Sequence, residues 1–557
     1  MSSPTAQTDP GEHGRGECVD PPLLRALASP DTYGVGCPVE VHETHASWVF
    51  VAGERAYKVK KPLALGFLDY GTLALRRAAC AEEVRVNREL APGIYLGVRA
   101  IVRTPTGFAL APEHAAEAIE YAVEMRSFRE RDTLAGLIGA GSLEPHHLDA
   151  VARRLAAFHR MAPIVAGGGA REILAVWHAN LRELADAGRT VGWHVESGQV
   201  LRLEAFARAF TRAHQHEIGE RRRAGLVRDG HGDLRCEHVL MVPTVRVVDR
   251  IEFDPRLRRT DIACDLAFLA MDLEASGQRW AAKSLIDAYR ADGMDPGSDA
   301  LLAFYAAHRA LVRTKVALIV AAGAEGEGRA RRLEQAQALW DLGERLCWRA
   351  RAPVAVVVCG PAASGKSTLA AELARRSGLP VVSSDSVRKS LAGLAATERG
   401  APEHYSEQFT HATYDRLGRE ARRALRRQPG VIVDATCRSR GDRFLLLHRL
   451  HGADLTRLVV CCEVTLEVAL ERAARRMRDA ERVSDATPEI VAEQYLSFQA
   501  LEELPPQSVL RLDAARPLQE QVAEVARAVD LRLARRDSPT AQPQARAMAG
   551  HAQGACR

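Results

Sequence analysis

The stretch that most limits what this chain can fold into is Val354 to Thr368, VAVVVCGPAASGKST. It begins with a short, unbroken apolar run, as expected of a strand covered on both faces. It continues with the spacing Gly-x4-Gly-Lys-Ser from Gly360 to Ser367. Gly360 and Gly365 let the backbone curl around Pro361, Ala362, Ala363 and Ser364, so that main-chain N–H groups face phosphate oxygens. Lys366 then reaches the terminal phosphates, Ser367 ligates magnesium, and Thr368 completes the nucleotide-binding stretch. This is a phosphate-binding loop, and the strand before it and helix after it are the context that the motif requires.

Further apolar runs, LPVVSSD, GVIVDAT and LTRLVVCCEV, alternate with helical stretches downstream. That alternation predicts an α/β domain, a P-loop NTPase fold with a parallel sheet wound by crossover helices. We place it at 351–535, with a boundary near Arg349–Pro353. The chain has 557 residues, too many for one ordinary core. A second domain is therefore expected over 21–348. Polar, Gly/Pro/Ser-rich tails at 1–20 and 536–557 read as disordered.

Composition excludes several classes. The net charge of +5 is too weak over this length to imply nucleic-acid binding. The longest apolar runs, VAVVV and ALIVAAGA, fall far short of a membrane span. The first residues hold no apolar core of a signal peptide. Eleven cysteines without a Cys-x-x-Cys pair suggest reduced thiols and a cytoplasmic protein. Only seven of the 76 basic residues are lysine, yet Lys58, Lys60 and Lys61 fall within four positions, and Lys366 lies in the phosphate loop. In an arginine-rich chain such lysines suggest that a compact point charge is required.

Within 21–348, SWVFVAGERAYKVKKP reads as two strands joined by a glycine turn, and TLALRRAACAEEVRVNREL as a helix. HLDAVARRLAAFHRMA has Leu148, Val151, Leu155 and Phe158 on one helix face. After DGHGDLRCEHVLM, the segment VRVVDRIEFD is strand-like and DIACDLAFLAMDLEAS returns to helix.

These residues resemble the aminoglycoside phosphotransferase-like branch of the protein-kinase-like superfamily, an α+β fold. The segments ETHASWVF, YKVKKPLALGFLDY, HGDLRCEHV, IEFDPRLRRTDIACDLAFLAMDLE and HRALVRTKVA are similar to signatures of a bacterial group within it. Its members often carry a fused P-loop kinase and are labelled bifunctional aminoglycoside phosphotransferase and ATP-binding protein. The resemblance implies ATP and Mg2+ as cofactors. It makes Asp233 the base that orients an acceptor hydroxyl and Lys58 the phosphate lysine, with Lys60 as fallback and Glu83 as its partner. The metal acid on the next strand is Glu252, with Asp254 close behind and Asp249 earlier. Asp265 braces the loop. Where related kinases place a metal-binding Asn, this chain has His238. Magnesium prefers oxygen, so His238 either hydrogen-bonds phosphate or Asp233, or the site holds one metal fewer. The segment around Ser47 lacks the glycines of a nucleotide-covering loop.

In the second domain, SSDSVRK follows a strand, so Asp385 and Arg388 face the ligand crevice at the carboxyl edge of the sheet. Asp385 can orient an acceptor hydroxyl and Arg388 can hold a phosphoryl group. Asp434, in VIVDAT, is a metal candidate that could instead contact the acceptor. Arg472 and Arg476 are four apart, on one helix face, and can form a lid that neutralises charge. The segment resembles gluconate kinase, the zeta-toxin family and the 5′-kinase of polynucleotide repair, which differ in their acceptors.

The sequence leaves three readings open. The first is a bifunctional ATP-dependent phosphotransferase, each domain acting on a hydroxyl of a small-molecule acceptor. The second makes the first domain a nucleotide-binding regulator of one active P-loop kinase. The third, a 5′-hydroxyl nucleic-acid end kinase, predicts a basic groove with stacking aromatics, and the second half is poor in aromatics. The acceptors and the oligomeric state are not legible.

Overall fold

Val354 to Cys359 run through the centre of a five-stranded parallel sheet and are fully covered on both faces, as the apolar run requires. The computed structural model describes residues 21–44, 46–65, 68–193, 197–395, 397–452, 454–476 and 487–535. The tails expected to be disordered, 1–20 and 536–557, lie outside the described residues. The chain forms two compact units that interleave along it. One comprises 1–167 with 225–296, the other 168–224 with 297–557.

The first unit is built on an antiparallel sheet of β1 (Glu40–Glu43), β2 (Ser47–Ala52), β3 (Arg55–Lys60), β4 (Tyr95–Thr104), β5 (Gly107–Pro112) and β6 (Ala118–Arg126). Their spatial order is β1-β2-β3-β6-β4-β5. The expected glycine turn joins β2 and β3. The helix Leu73–Asn87 packs on this sheet, its Cys80 and Val84 buried against Tyr121 and Val123. Helices Pro145–Met161, Ile262–Ala275 and Arg279–Ala291 form the remainder, with Leu148, Val151, Leu155 and Phe158 all buried. Between them run β7 (Val227–Asp229), a hairpin of β8 (Val239–Leu240) and β9 (Arg246–Val247), and β10 (Arg259–Asp261), which pairs with β7.

One expectation fails here. VRVVDRIEFD reads as a strand, but β9 ends at Val247, and Asp249 adopts φ 62°. A left-handed residue turns the chain and ends pairing, and Asp tolerates it better than most. The segment is therefore not one continuous strand.

The second unit contains the parallel sheet, β11 (Val354–Cys359), β12 (Val381–Ser383), β13 (Gly430–Asp434), β14 (Thr456–Glu463) and β15 (Val509–Asp513), in the order β12-β13-β11-β14-β15. Alternate residues of β11 feed two cores. Val354, Val356 and Val358 meet Leu369, Leu373 and Val525 on one face. Ala355, Val357 and Cys359 meet Tyr414, Leu417 and Leu446 on the other. Helices Ala170–Val191, Ser197–Ala213, Gln215–Arg223, Asp299–Ala322 and Gly326–Ala350 belong to the same unit. Arg351 forks onto Asp530 at 2.7 and 2.9 Å, both side chains buried. No helix among the described residues is long and apolar enough to cross a membrane.

Candidate functional site

In the first unit, Lys58 and Lys60 alternate along β3 and so point to the same face of the sheet. Both reach Glu83, which projects from the helix Leu73–Asn87 and is fully buried. Lys58 Nζ donates to Glu83 Oε1 at 2.9 Å and to Asp249 Oδ1 at 2.7 Å. Lys60 Nζ donates to the other oxygen of Glu83 and to Glu252 Oε1. Tyr70 Oη donates to the same Glu252 oxygen at 2.7 Å. Two cations and three carboxylates therefore alternate in one chain, Asp249–Lys58–Glu83–Lys60–Glu252. Burial alone would lower both lysines, but Asp249 and Glu83 at Lys58, and Glu252 and Glu83 at Lys60, hold them well above the usual lysine range. Burial would raise Asp249, yet the Lys58 ammonium, by its charge and its hydrogen bond, keeps the carboxyl well below the usual range.

The loop after β7 is pinned from beneath. A Cβ on Gly230 would lie 2.3 Å from Asp265 Oδ2, and Gly232 has φ 88°, so both positions require glycine. Asp265, fully buried, accepts the main-chain N–H groups of His231 at 2.5 Å and Gly232 at 2.9 Å. This is the bracing expected of it. His231 is buried, and burial pushes its imidazole down to about 4. Its Nε2–H donates to Val248 O at 2.9 Å, and its Nδ1 accepts Asp233 N–H at 3.2 Å. Asp233 points outward from this support, with a side chain 30 % exposed.

His238 lies beside it. Its Nδ1 is 2.8 Å from the main-chain oxygen of Asp233, and its Nε2 is 2.9 Å from Arg235 Nη2. A guanidinium can only donate and a carbonyl can only accept. The ring is thus a neutral imidazole with its proton on Nδ1 and both nitrogens occupied. Arg235 Nε also donates to Asp233 Oδ2 at 3.1 Å. Asp249 Oδ2 is 3.7 Å from His238 Nε2. The structure brings Asp233, His238, Asp249, Lys58 and Glu83 together. Glu252 joins them through Lys60. Asp254 instead caps the short helix Pro255–Arg258, accepting Arg256 N–H at 2.9 Å and pairing with the Arg256 guanidinium. His231, Arg235 and Tyr70 were not singled out from the sequence. The first two lie within the quoted loop, where their place beside Asp233 was the available signal.

In the second unit, Gly360 (φ 136°), Ala363 (φ 60°) and Gly365 (φ 100°) curl the loop from β11 into the helix Lys366–Ser377. A Cβ on Gly360 would be 2.7 Å from Cys462 O. Lys366 Nζ donates to Pro361 O at 2.7 Å, and Ser367 and Thr368 are exposed on the first helical turn. The buried Ser364 hydroxyl has no hydrogen-bond partner among the described residues. Ala362 N–H donates to Gln494 Oε1 at 2.9 Å, a contact that nothing in the sequence signals. Asp434 ends β13, 8 % exposed, in register with Val358 and Ser383.

Asp385 is exposed in the first turn of the helix Ser384–Ala392, and its N–H donates to Ser383 Oγ at 3.2 Å. Arg388 Nη1 donates to His404 O at 2.6 Å, and its guanidinium lies 4.9 Å from the Tyr405 ring centroid. Arg472 donates to Ala514 O at 2.9 Å and to Ser364 O at 3.4 Å, so it abuts the phosphate loop. The side chain of Arg476 and residues 477–486, part of the expected lid, lie outside the described residues.

Residues 356–501 match the AAA domain family. An uncharacterized protein of Mycobacterium tuberculosis is 33 % identical over 471 residues, which are 82 % of this chain and 89 % of that protein. Among solved structures, a gluconokinase from Sinorhizobium meliloti 1021 is 22 % identical, covering 33 % of this chain and 94 % of its own, with a TM-score of 0.24. A choline/ethanolamine kinase family protein from Mesorhizobium loti is 15 % identical, covering 58 % of this chain and 97 % of its own, with a TM-score of 0.32.

Proposed function

This chain belongs to the family of the mycobacterial protein that it matches over most of its length, and on that premise we propose that it is a bifunctional ATP-dependent kinase. Each unit transfers a γ-phosphoryl group to a hydroxyl of a small-molecule acceptor. The observation that carries the reading is the juxtaposition of Lys58, Asp249 and Asp233 in the first unit, in a chain whose second unit has a complete phosphate loop.

In the first unit, Lys58 supplies the point charge for the nucleotide phosphates, and Glu83 holds it from behind. Lys60 is held between Glu83 and Glu252 and keeps that support neutralised. Asp233 orients the acceptor hydroxyl and takes its proton as the oxygen attacks. Arg235 and His238 fix the carboxylate and the main chain of Asp233. His238 is thereby a positioning residue, because neither ring nitrogen is left for a metal. The available donors beside Lys58 are carboxylate oxygens, which suit Mg2+. Asp249, with a side chain 41 % exposed, is the acid we assign to it, in preference to Glu252, which is 9 % exposed with Oε1 shared by Lys60 and Tyr70, and to Asp254, which is paired with Arg256. When bound, Mg2+ neutralises charge on the β- and γ-phosphates.

In the second unit, the main-chain N–H groups of the phosphate loop and the start of the helix Lys366–Ser377 cradle the phosphates, and Lys366 adds its charge. Ser367 and Asp434 are the metal ligands, Asp385 orients the acceptor, and Arg388 and Arg472 face phosphoryl groups. The test uses the full-length chain with one site disabled at a time. Lys366→Ala and Asp233→Asn chains are assayed for ATP consumption against sugars, sugar acids and aminoglycosides. The reading expects each variant to retain the acceptors of the other site. If Asp233→Asn leaves every activity intact while Lys58→Ala alters turnover at the phosphate loop, the first unit is a nucleotide sensor.

A further inference from the structure

At the edge of the parallel sheet away from the phosphate loop, six arginines surround one groove of about 480 Å3. They are Arg419, Arg422, Arg423, Arg426 and Arg427, at the end of the helix Glu407–Leu425 and just beyond it, and Arg449, which ends the helix Arg440–Arg449. The arginines after Leu425 lead into Gly430, which pairs with Val354, whereas the phosphate loop leaves β11 at Cys359. Five residue steps of strand, about 17 Å, separate the two ends.

The groove is assembled rather than incidental. Gly418 lets the two helices close, since a Cβ there would lie 2.8 Å from Arg449 Cγ. Asp415 fixes two of the guanidinium groups, pairing with Arg419 and, at 2.8 Å, with Arg449 Nη2. Arg422 Nη1 is anchored on Arg449 O at 3.2 Å. The other three, Arg423, Arg426 and Arg427, are exposed and have no carboxylate partner among the described residues. Within the helix Arg419 and Arg423 are like charges four apart, an arrangement that destabilises a helix. Offsetting the helix dipole needs far fewer cations than this. Six arginines against Asp415 leave an excess of about five positive charges in one small volume.

We infer that this groove binds a linear condensed phosphate of three or more phosphate units. Planar guanidinium forks match phosphate oxygens in pairs, which suits arginine over lysine here. Among the described residues no aromatic side chain lines the groove, so a nucleobase could stack only on guanidinium planes. That lining favours an inorganic chain over a nucleic acid. The site is separate from the phosphate loop and does not depend on the kinase reading.

The test is calorimetric titration of inorganic tripolyphosphate into full-length protein carrying Lys366→Ala, with and without Arg423→Ala, Arg426→Ala and Arg427→Ala together. The groove variant is expected to weaken tripolyphosphate at least tenfold. The same three substitutions in the otherwise unaltered chain should leave ATP turnover within twofold, and lysine at the three positions should restore part of the affinity. Unchanged tripolyphosphate affinity in the groove variant overturns the proposal. So does a single-stranded oligonucleotide that binds more tightly than a polyphosphate of equal charge, which would make this a nucleic-acid surface. Equal competition by orthophosphate would reduce it to a diffuse ion atmosphere.

Discussion

Lys58 lies 2.7 Å from Asp249 and 2.9 Å from Glu83, one carboxylate open to solvent and the other sealed from it. Lys60, two residues on, is sealed between Glu83 and Glu252. The neighbouring lysines therefore have different tasks, and substitution should separate them. Lys60→Ala leaves Glu83 and Glu252 buried with less compensation, and breaking a buried pair in this way costs about 3–5 kcal/mol. Its signature is a lower midpoint in urea denaturation. Lys58→Ala leaves Lys60 on Glu83 and frees a half-exposed Asp249, so stability falls less, while ATP affinity at the first site drops at least tenfold. Equal effects of the two variants on both measurements would show that the lysines are not differentiated.

Asp233→Asn should keep ATP affinity within about threefold and reduce transfer at the first site by roughly 10²–10⁴-fold, the usual worth of a positioned acid/base group. His238 is expected to act through Asp233. Asn at 238 can donate to Asp233 O and accept from Arg235, whereas Ala can do neither. His238→Asn should hold kcat within about tenfold of the parent, and His238→Ala should lower kcat further while leaving KM for ATP nearly unchanged. A rise in KM for ATP with either variant would place the imidazole on the nucleotide instead.

Legibility differed between the two units for a physical reason. The phosphate loop is read from backbone requirements, because Gly360 has neither room for a Cβ nor an ordinary φ, and such demands are met by few residues. The bracing by Asp265 was legible only through the resemblance. The second acid depended on counting from Asp233 by the spacing of related kinases, on the premise of a regular strand, which favoured Glu252. The turn at Asp249 breaks that count and swings its carboxylate to Lys58. That Glu83 faces the sheet was legible only through the resemblance, since helical spacing alone does not say which side the sheet covers. Gln494 was invisible, because a lone glutamine 132 residues from Ala362 leaves no local pattern.

Buried His231 supplies a pH dependence. Its folded value of about 4 lies below the ordinary 6.5, so the fold favours the neutral ring. The unfolded chain takes up a proton first as pH falls. The stabilisation is therefore complete above about pH 6.5 and is lost progressively down to about pH 4. Between pH 7 and 5 the loss from this residue is about 2 kcal/mol. Urea denaturation at both values checks the slope, and ring nitrogen shifts by NMR should report a neutral imidazole still present at pH 5. A protonated ring in the folded protein at pH 5 would contradict the burial argument.

Gly360 and Ala363 both sit at positive φ in the phosphate loop, but only one of them meets an obstacle. At Gly360 an added Cβ would lie 2.7 Å from Cys462 O and 2.9 Å from Ser364 Oγ. The first contact is backbone in the adjacent strand and cannot yield without moving β14. Gly360→Ala should distort the loop so that its N–H groups no longer converge, and ATP turnover at the second site should fall by at least a hundredfold. Ala363 already carries its Cβ at φ 60°, at a cost of the order of 1 kcal/mol. Ala363→Gly removes that strain but adds freedom to the unfolded chain, and these effects oppose each other. Turnover should persist, with a denaturation midpoint close to that of the parent. If Gly360→Ala retained full turnover, the N–H cradle would not be the phosphate site, because no loop with that contact can keep the same curl.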